Sequence, residues 1–390
     1  TEKHPDDIEA CRYLYKLVFN VEDDSEIDSD EEATVDVDSY DFVNDTAKLV
    51  LRNIIDSYYA AQKLRISNGN RVCATFAISN NLDEDVKYDV LLKAVRAEYN
   101  TITGMITSNT SASKAIKQLL AVGSIKYIKS EIDYNFVKSY EQLYVIEQEI
   151  SESVSKQVKK HPLWKEFFEK VKGCGPIMAG VCISYFDVNK AKYAYSFCAY
   201  AGVDPVKTYK ETTLDDGTVF NVEVVEGHCK KHTVDECYVK KDGTIGLKKT
   251  LGYNPELQGH LLSVLADSLL RAGYRRDKDK NGVPIEGGKI VAEGYARAYA
   301  DYMHRLNHRV DTKEYTNAHK HAMCKRYMIK MFLKDLWTVW RSLAGYDIGV
   351  PYEVAFLGKD PHHYNRYYEM PKKVYADDSD YDANILNGLE

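Results

Sequence analysis

The sequence predicts a mainly α protein: a long helical arm leading into a helix-hairpin-helix domain that carries a small β-hairpin insertion. Three observations predict it. Phe136, Tyr140, Leu143, Ile146, Ile150, Val154 and Val158 recur every three or four residues, the spacing of one helix face, over about seven turns, longer than most globular helices. Gly173-Cys174-Gly175-Pro176 is a tight corner between two helical runs. Its glycines suit a positive-φ turn, Pro176 suits the first turn of the helix that follows, and small Ala179 and Gly180 allow close helix approach. Thr218-Val219-Phe220-Asn221-Val222-Glu223-Val224-Val225 alternates in period two between turn residues, as a β-hairpin does.

The chain has 390 residues, 44% of them hydrophobic, enough for a sizeable core, and two or three domains are expected. No run approaches the roughly 18 apolar residues of a membrane span, and the stretch from Thr1 shows no apolar signal region. Partners in a membrane are therefore not expected. Eight scattered cysteines without a CxxC pair fit reduced thiols in a cytoplasmic compartment. Thirty-one tyrosines suit wet interfaces and base stacking, and equally a helical core with polar edges.

The net charge of −7 is unevenly spread. Residues 151–341 hold 32 Lys+Arg against 23 Asp+Glu, so the segment with the corner is basic and its flanks are acidic. That asymmetry suits a nucleic-acid face with acidic appendages.

In chain order, residues 1–43 form an acidic, poorly ordered segment, because the run at 22–41 has few apolar residues and no period. Residues 44–134 form a helical N-terminal domain. Its first helix starts at Asn44-Asp45-Thr46 and ends at Asn68-Gly69-Asn70; a second covers 83–103 and a third 112–132. The arm occupies 135–172. It packs against another long helix, in this chain or in a second copy, so a homo-oligomer is expected through it. Pro162 breaks the period, and Leu163, Trp164, Phe167, Phe168 and Val171 lead into the corner. The helix-hairpin-helix domain spans 173–345 with its β insertion at about 206–252; helices are expected at 255–272, 295–307 and 315–343, with a charged loop at 275–288. Residues 346–390 form an irregular acidic tail.

The candidate chemistry is phosphate binding. The free N–H groups at a helix N-terminus favour an anion, so Gly173, Gly175 and Ile177 form the predicted grip. Lys170, Lys172, Lys190 and Lys192 supply charge around it. A second basic face is predicted on the helix at 315–343, from Lys320, Lys325, Arg326 and Lys330, with Met328, Phe332, Leu336, Val339 and Trp340 pointing elsewhere. His228, Cys229, His232 and Cys237 are soft ligands without the spacing of a zinc finger or knuckle; His308, His319, His321 and Cys324 do not share a helix face. No metal site is assigned. Walker A, GxGxxG and GxSxG motifs are missing from the sequence, so no cofactor is assigned either.

These residues also carry a resemblance. The long helix, the Gly173-Cys174-Gly175-Pro176 corner, the Phe197-x-Ala199-Tyr200-Ala201-Gly202-Val203-x-Pro205 stretch and the basic helix at 318–343 follow the order seen in the C-terminal half of IS110/IS116/IS902-type transposases. Tyr58-Tyr59-x-x-Gln62 and Arg65-x-x-x-x-Asn70 resemble a phage and prophage transposase-like subgroup. The resemblance covers roughly residues 138–358, with a weaker echo at 50–73. It implies DNA binding, with structured RNA as a second ligand, in the cytoplasm of a bacterial or phage-infected cell. Two of the family's catalytic parts have no counterpart. No apolar strand bearing an Asp precedes the helices, where that family carries a RuvC-like metal site. The family's serine nucleophile falls shortly after the stretch matching 200–205, and here residues 202–262 contain no serine, only Thr208, Thr212 and Thr213 nearby. Catalytic residues are therefore not assigned. The sequence favours a binding protein over two rivals: a strand-transferase or nuclease with a diverged site, and a protein-binding scaffold or nucleic-acid-mimicking inhibitor.

Overall fold

The computed structural model describes residues 45–82, 87–203, 205–213, 219–228, 233–239, 245–282, 289–312, 314–348 and 366–375. The acidic run at 22–41, most of the acidic tail and the Cys229–His232 stretch lie outside the described residues. The mainly α expectation holds.

Helix α1 runs over Asp45–Ser79, straight through the predicted stop at Asn68-Gly69-Asn70. Gly69 keeps ordinary helical φ; a Cβ there would lie 2.9 Å from the Tyr140 ring. The glycine marks a close helix crossing, not an end. Helix α2 covers Tyr88–Met105. The helix expected at 112–132 is cut short. Helix α3 is Ala112–Ala121, and Gly123 turns the chain with φ +69. Helix α4 then spans Glu131–Lys160. The Ser130 hydroxyl accepts from the Asp133 N–H while the Asp133 carboxylate accepts from the Ser130 N–H, a capping box that starts the long helix five residues before the predicted stripe.

Helix α4 packs antiparallel on α1 within this chain, as the contacts of Asn68 with Ser139 and of Arg65 with Glu147 require. The predicted stripe is right at Tyr140, Val154 and Val158, which are buried, and wrong at Ile146, which is exposed. In its place Glu147 is buried, held by the Arg65 guanidinium and the Gln62 amide. The ion pair sits between two apolar clusters. One joins Val72, Phe76, Leu91, Val95, Ile116 and Tyr140. The larger one gathers Ile55 and Val154 with the rest of the domain.

His161 and Pro162 end α4. Short α5, Pro162–Glu166, and a 3-10 turn at Phe168–Lys170 bury Leu163, Phe167 and Phe168 and deliver the chain to the corner. Helix α6, Pro176–Tyr185, is apolar on every side and buried from Met178 onward. Helix α7 is Ala194–Tyr200. The insertion holds two antiparallel hairpins rather than one: β1 Pro205–Thr213 pairs β2 Val219–His228, and β3 Thr233–Val239 pairs β4 Ile245–Leu251. Helix α8, Pro255–Gly259, continues through a wide π-turn at His260–Leu265 into α9, Ala266–Gly273. The predicted loop and tail both contribute strands. Strands β5 Tyr274–Arg276, β6 Ile290–Ala292 and β7 Lys373–Tyr375 form an antiparallel sheet. Period-two reading fails on three-residue strands because they are too short to show alternation.

Helices α10, Tyr295–His308, and α11, Asn317–Leu343, close the domain. From Met328 to Trp340, α11 is largely buried and forms the centre of the larger core. Among the described residues no helix is long and apolar enough to cross a membrane.

Candidate nucleic-acid interface

The corner is built as a supported turn. Gly173 has φ +93, a conformation that favours glycine. Its carbonyl accepts from the Ser268 hydroxyl at 2.7 Å, and a Cβ there would meet Ser268 O at 2.8 Å and Leu269 Cα at 3.0 Å. The turn is therefore pressed onto α9. Gly175 differs: its φ of −81 suits any residue, and a Cβ there would meet nothing within 4 Å. It is exposed and caps α6 without a side chain. The α6 ladder begins with Ala179 N–H donating to Gly175 O, and Pro176 lacks an N–H, so the N–H groups of Ile177 and Met178 end the helix without intrahelical acceptors. Gly180 does not bring the two hairpin helices together as expected. A Cβ there would crowd Ile55, Val154 and Val158, so its smallness serves the packing of α6 on α1 and α4.

The charges around the corner are partly spoken for. Lys170 pairs with Glu166 at 3.3 Å and Lys172 with Glu293 at 2.5 Å. Arg275 also reaches Glu293, at 3.4 Å. The hydrogen bond from Lys172, then the charges of Lys172, Arg275 and Lys372, hold the Glu293 carboxyl below its usual range. Three cations thus share one carboxylate, and the excess is positive. Arg275 and Lys372 were missed in the sequence because β5 and the β7 approach bring them here from about 100 and 200 residues away, a separation no local pattern reports.

Lys190 and Lys192 do not join the corner. They follow the C-terminal end of α6, about 15 Å from its start at 1.5 Å per residue. Lys190 reaches Asp187 at 3.5 Å, and the Lys192 ammonium lies 5.6 Å from the Tyr193 ring centre. The basic face expected on α11 does not form. Lys320 is buried and donates to Asn307 Oδ1 at 3.0 Å; Lys325 pairs with Asp267 at 2.7 Å. Arg326 is half-buried, and burial lowers its pKa. Lys330 is half-buried too. A core helix covers its cations' stems and leaves little charge for a ligand.

Other titratable groups meet between α1, α6 and α8. Asp56 and Glu256 approach the Arg52 and His260 side chains; burial first, then Glu256, raises the Asp56 pKa. His260 stacks on Tyr59 at 4.3 Å and burial lowers its pKa, while its Nε2 is enclosed without a hydrogen-bond partner. A nitrogen closed off from solvent is poorly placed for acid–base work on a substrate. His321 is bonded to the Tyr299 hydroxyl at 2.7 Å and His308 stacks on His304, so the second predicted soft-ligand set is dispersed. Among the described residues no three His, Cys, Asp or Glu side chains are grouped to hold a metal. Five cysteines there are buried; burial pushes Cys324 up to about 12, which disfavours its reactive thiolate.

No protein-family model, curated protein or solved structure matches this chain.

Proposed function

We propose that the chain is a nucleic-acid-binding protein that grips the phosphate backbone at the corner, resembling the recognition half of an IS110-type transposase. DNA is the first ligand and structured RNA the second, in the cytoplasm of a bacterial or phage-infected cell. The observation that carries the reading is Gly175: an exposed helix cap with open space at its Cβ, a few residues after Lys170 and Lys172, with Arg275 sharing Glu293 with Lys172. Helix N–H groups and surplus positive charge favour a phosphate there without base readout. The reading assigns binding alone; no catalytic residue enters it. Helix α4, with exposed Val145 and Ile146, is the proposed contact for a second copy.

A salt-titrated gel shift with duplex DNA and structured RNA tests this. Two or three phosphate contacts give a log–log salt slope of about −2 to −3. Gly175→Leu fills open space, so it should fold normally and weaken binding about tenfold by blocking close approach of a phosphate. A well-folded wild-type chain that binds no nucleic acid at low salt sinks the reading.

A further inference from the structure

The far end of α6 carries a different surface. From the α6–α7 turn into the first turn of α7 the sequence Lys190-Ala191-Lys192-Tyr193-Ala194-Tyr195 intersperses cations and rings with alanines. Lys190, Tyr193 and Tyr195 are 79%, 63% and 58% exposed, unusually open for tyrosines among the described residues. The backbone beneath them is pinned. The Trp337 indole N–H donates to Ala191 O at 2.8 Å, and the Tyr346 hydroxyl donates to Asn189 Oδ1 at 2.7 Å. Asn189 N–H is held by Asp187 Oδ1 at 2.9 Å, and Phe197 stacks on Phe186 with centroids 4.3 Å apart. Asp187, the acid in this turn, lies 3.7 Å from Lys48 and 3.5 Å from Lys190, so its charge is already countered. Arg341 adds a further cation, seated 4.7 Å from the Tyr346 ring centre.

We propose that Lys190, Lys192, Tyr193 and Tyr195 form a stacking platform for single-stranded nucleic acid, separate from the corner. The proposal shares the nucleic-acid reading given above but not its site. Base faces inside a duplex are covered by their neighbours; only unpaired bases can lie on an exposed ring. Tyrosine faces take any base, and neighbouring ammoniums follow the phosphates. A platform fixed by Trp337 and Tyr346 is ordered before the ligand arrives, which lowers the cost of binding. DNA and RNA strands offer the same chemistry to it.

The test uses the full chain and fluorescence anisotropy with labelled oligothymidine, oligouridine and a blunt duplex, whose two single-stranded arms separate a DNA from an RNA source. Tyr193→Ala with Tyr195→Ala should weaken single-strand binding about tenfold or more, and the Phe pair should keep it within about twofold. Neither pair should change duplex binding by more than about twofold. If the Ala pair does not fold, Lys190→Gln with Lys192→Gln must instead weaken single-strand binding and flatten its salt dependence by about two phosphates. Single strands bound equally by wild type and the Ala pair overturn the platform. So does a wild-type chain that binds duplex but no single strand, a result that leaves the corner reading standing. Single-strand binding with no duplex binding supports the platform and removes the corner.

Discussion

The two ends of α6 are both lysine-rich turns, yet they are made in opposite ways. At the start, Gly173 is wedged against α9 and the lysines are drawn onto Glu166 and Glu293. At the finish, the backbone is tied down by Trp337 and Tyr346, Lys190 stays largely exposed although it reaches Asp187 of the same turn, and Tyr193 and Tyr195 face outward. A Gly-x-Gly corner is thus first a packing device, and Gly175 is the glycine of the two that packing leaves open, where the phosphate is proposed to bind. Lysine content alone does not separate such surfaces. What separates them is whether acids from distant elements reach the ammoniums.

The largest expected effect tests the division of labour inside the corner. Gly173→Val should cost about 3 kcal/mol or more, from strain at positive φ and the clash with Ser268 and Leu269 on α9. Gly175→Leu should cost less than about 1 kcal/mol. Urea melts check both; equal losses would erase the distinction between the two glycines.

The supports of the two ends also titrate in opposite senses. His161, the cap of α5 on the way to the corner, is lowered to about 4, first by burial and then by Lys48. The unfolded chain therefore binds more protons between pH 6.5 and 4, and the histidine's share of stability is lost as pH falls through that window. Asp335, on α11 two residues before Trp337, is lifted to about 7 by burial, against the hydrogen bond from the Tyr295 hydroxyl at 2.8 Å. Its share is intact below its unfolded value near 4 and is lost as pH rises through 7. Between pH 4 and 6.5 the two contributions have opposite signs. Asp335→Asn should expose the histidine, with stability falling by about 2–3 kcal/mol on acidification across that window. His161→Asn, which keeps a capping side chain, should instead lose stability as pH rises from 4 to 7. Chemical melts at several pH values decide, and unchanged profiles in both variants would refute the assignment.

The smallest effect concerns charge. Glu293→Gln should leave stability within about 0.5 kcal/mol, because the cations it pairs are largely exposed, and should raise low-salt duplex affinity a few-fold by releasing Lys172 and Arg275. Gel shifts measure it. No gain would mean that these cations do not face the ligand.

Much of the fold was legible in the sequence. The arm, the Pro162 break, the Pro176 start and the helices at 295–307 and 315–343 follow from periodicity and proline chemistry, which act within a few residues. Errors arose where one residue type serves two purposes. Gly69 reads as a stop but is a helix crossing; Gly123, with its positive φ, is the true break. The candidate site was less legible. Lys320, Arg326 and Lys330 have the spacing of a solvated face, yet α11 lies in the core and its cations are covered or paired.

By itself the sequence determined the long helical arm, the helix start at Pro176 and the tight turn at Gly173, because those depend on backbone sterics and on hydrogen bonds between neighbours. Only the tertiary structure decided which lysines remain available. Lys172 meets Glu293 across 121 residues and Ala191 meets Trp337 across 146. Coulomb attraction and burial depend on distance in space, and the order of residues along a chain does not fix that distance until the chain has folded.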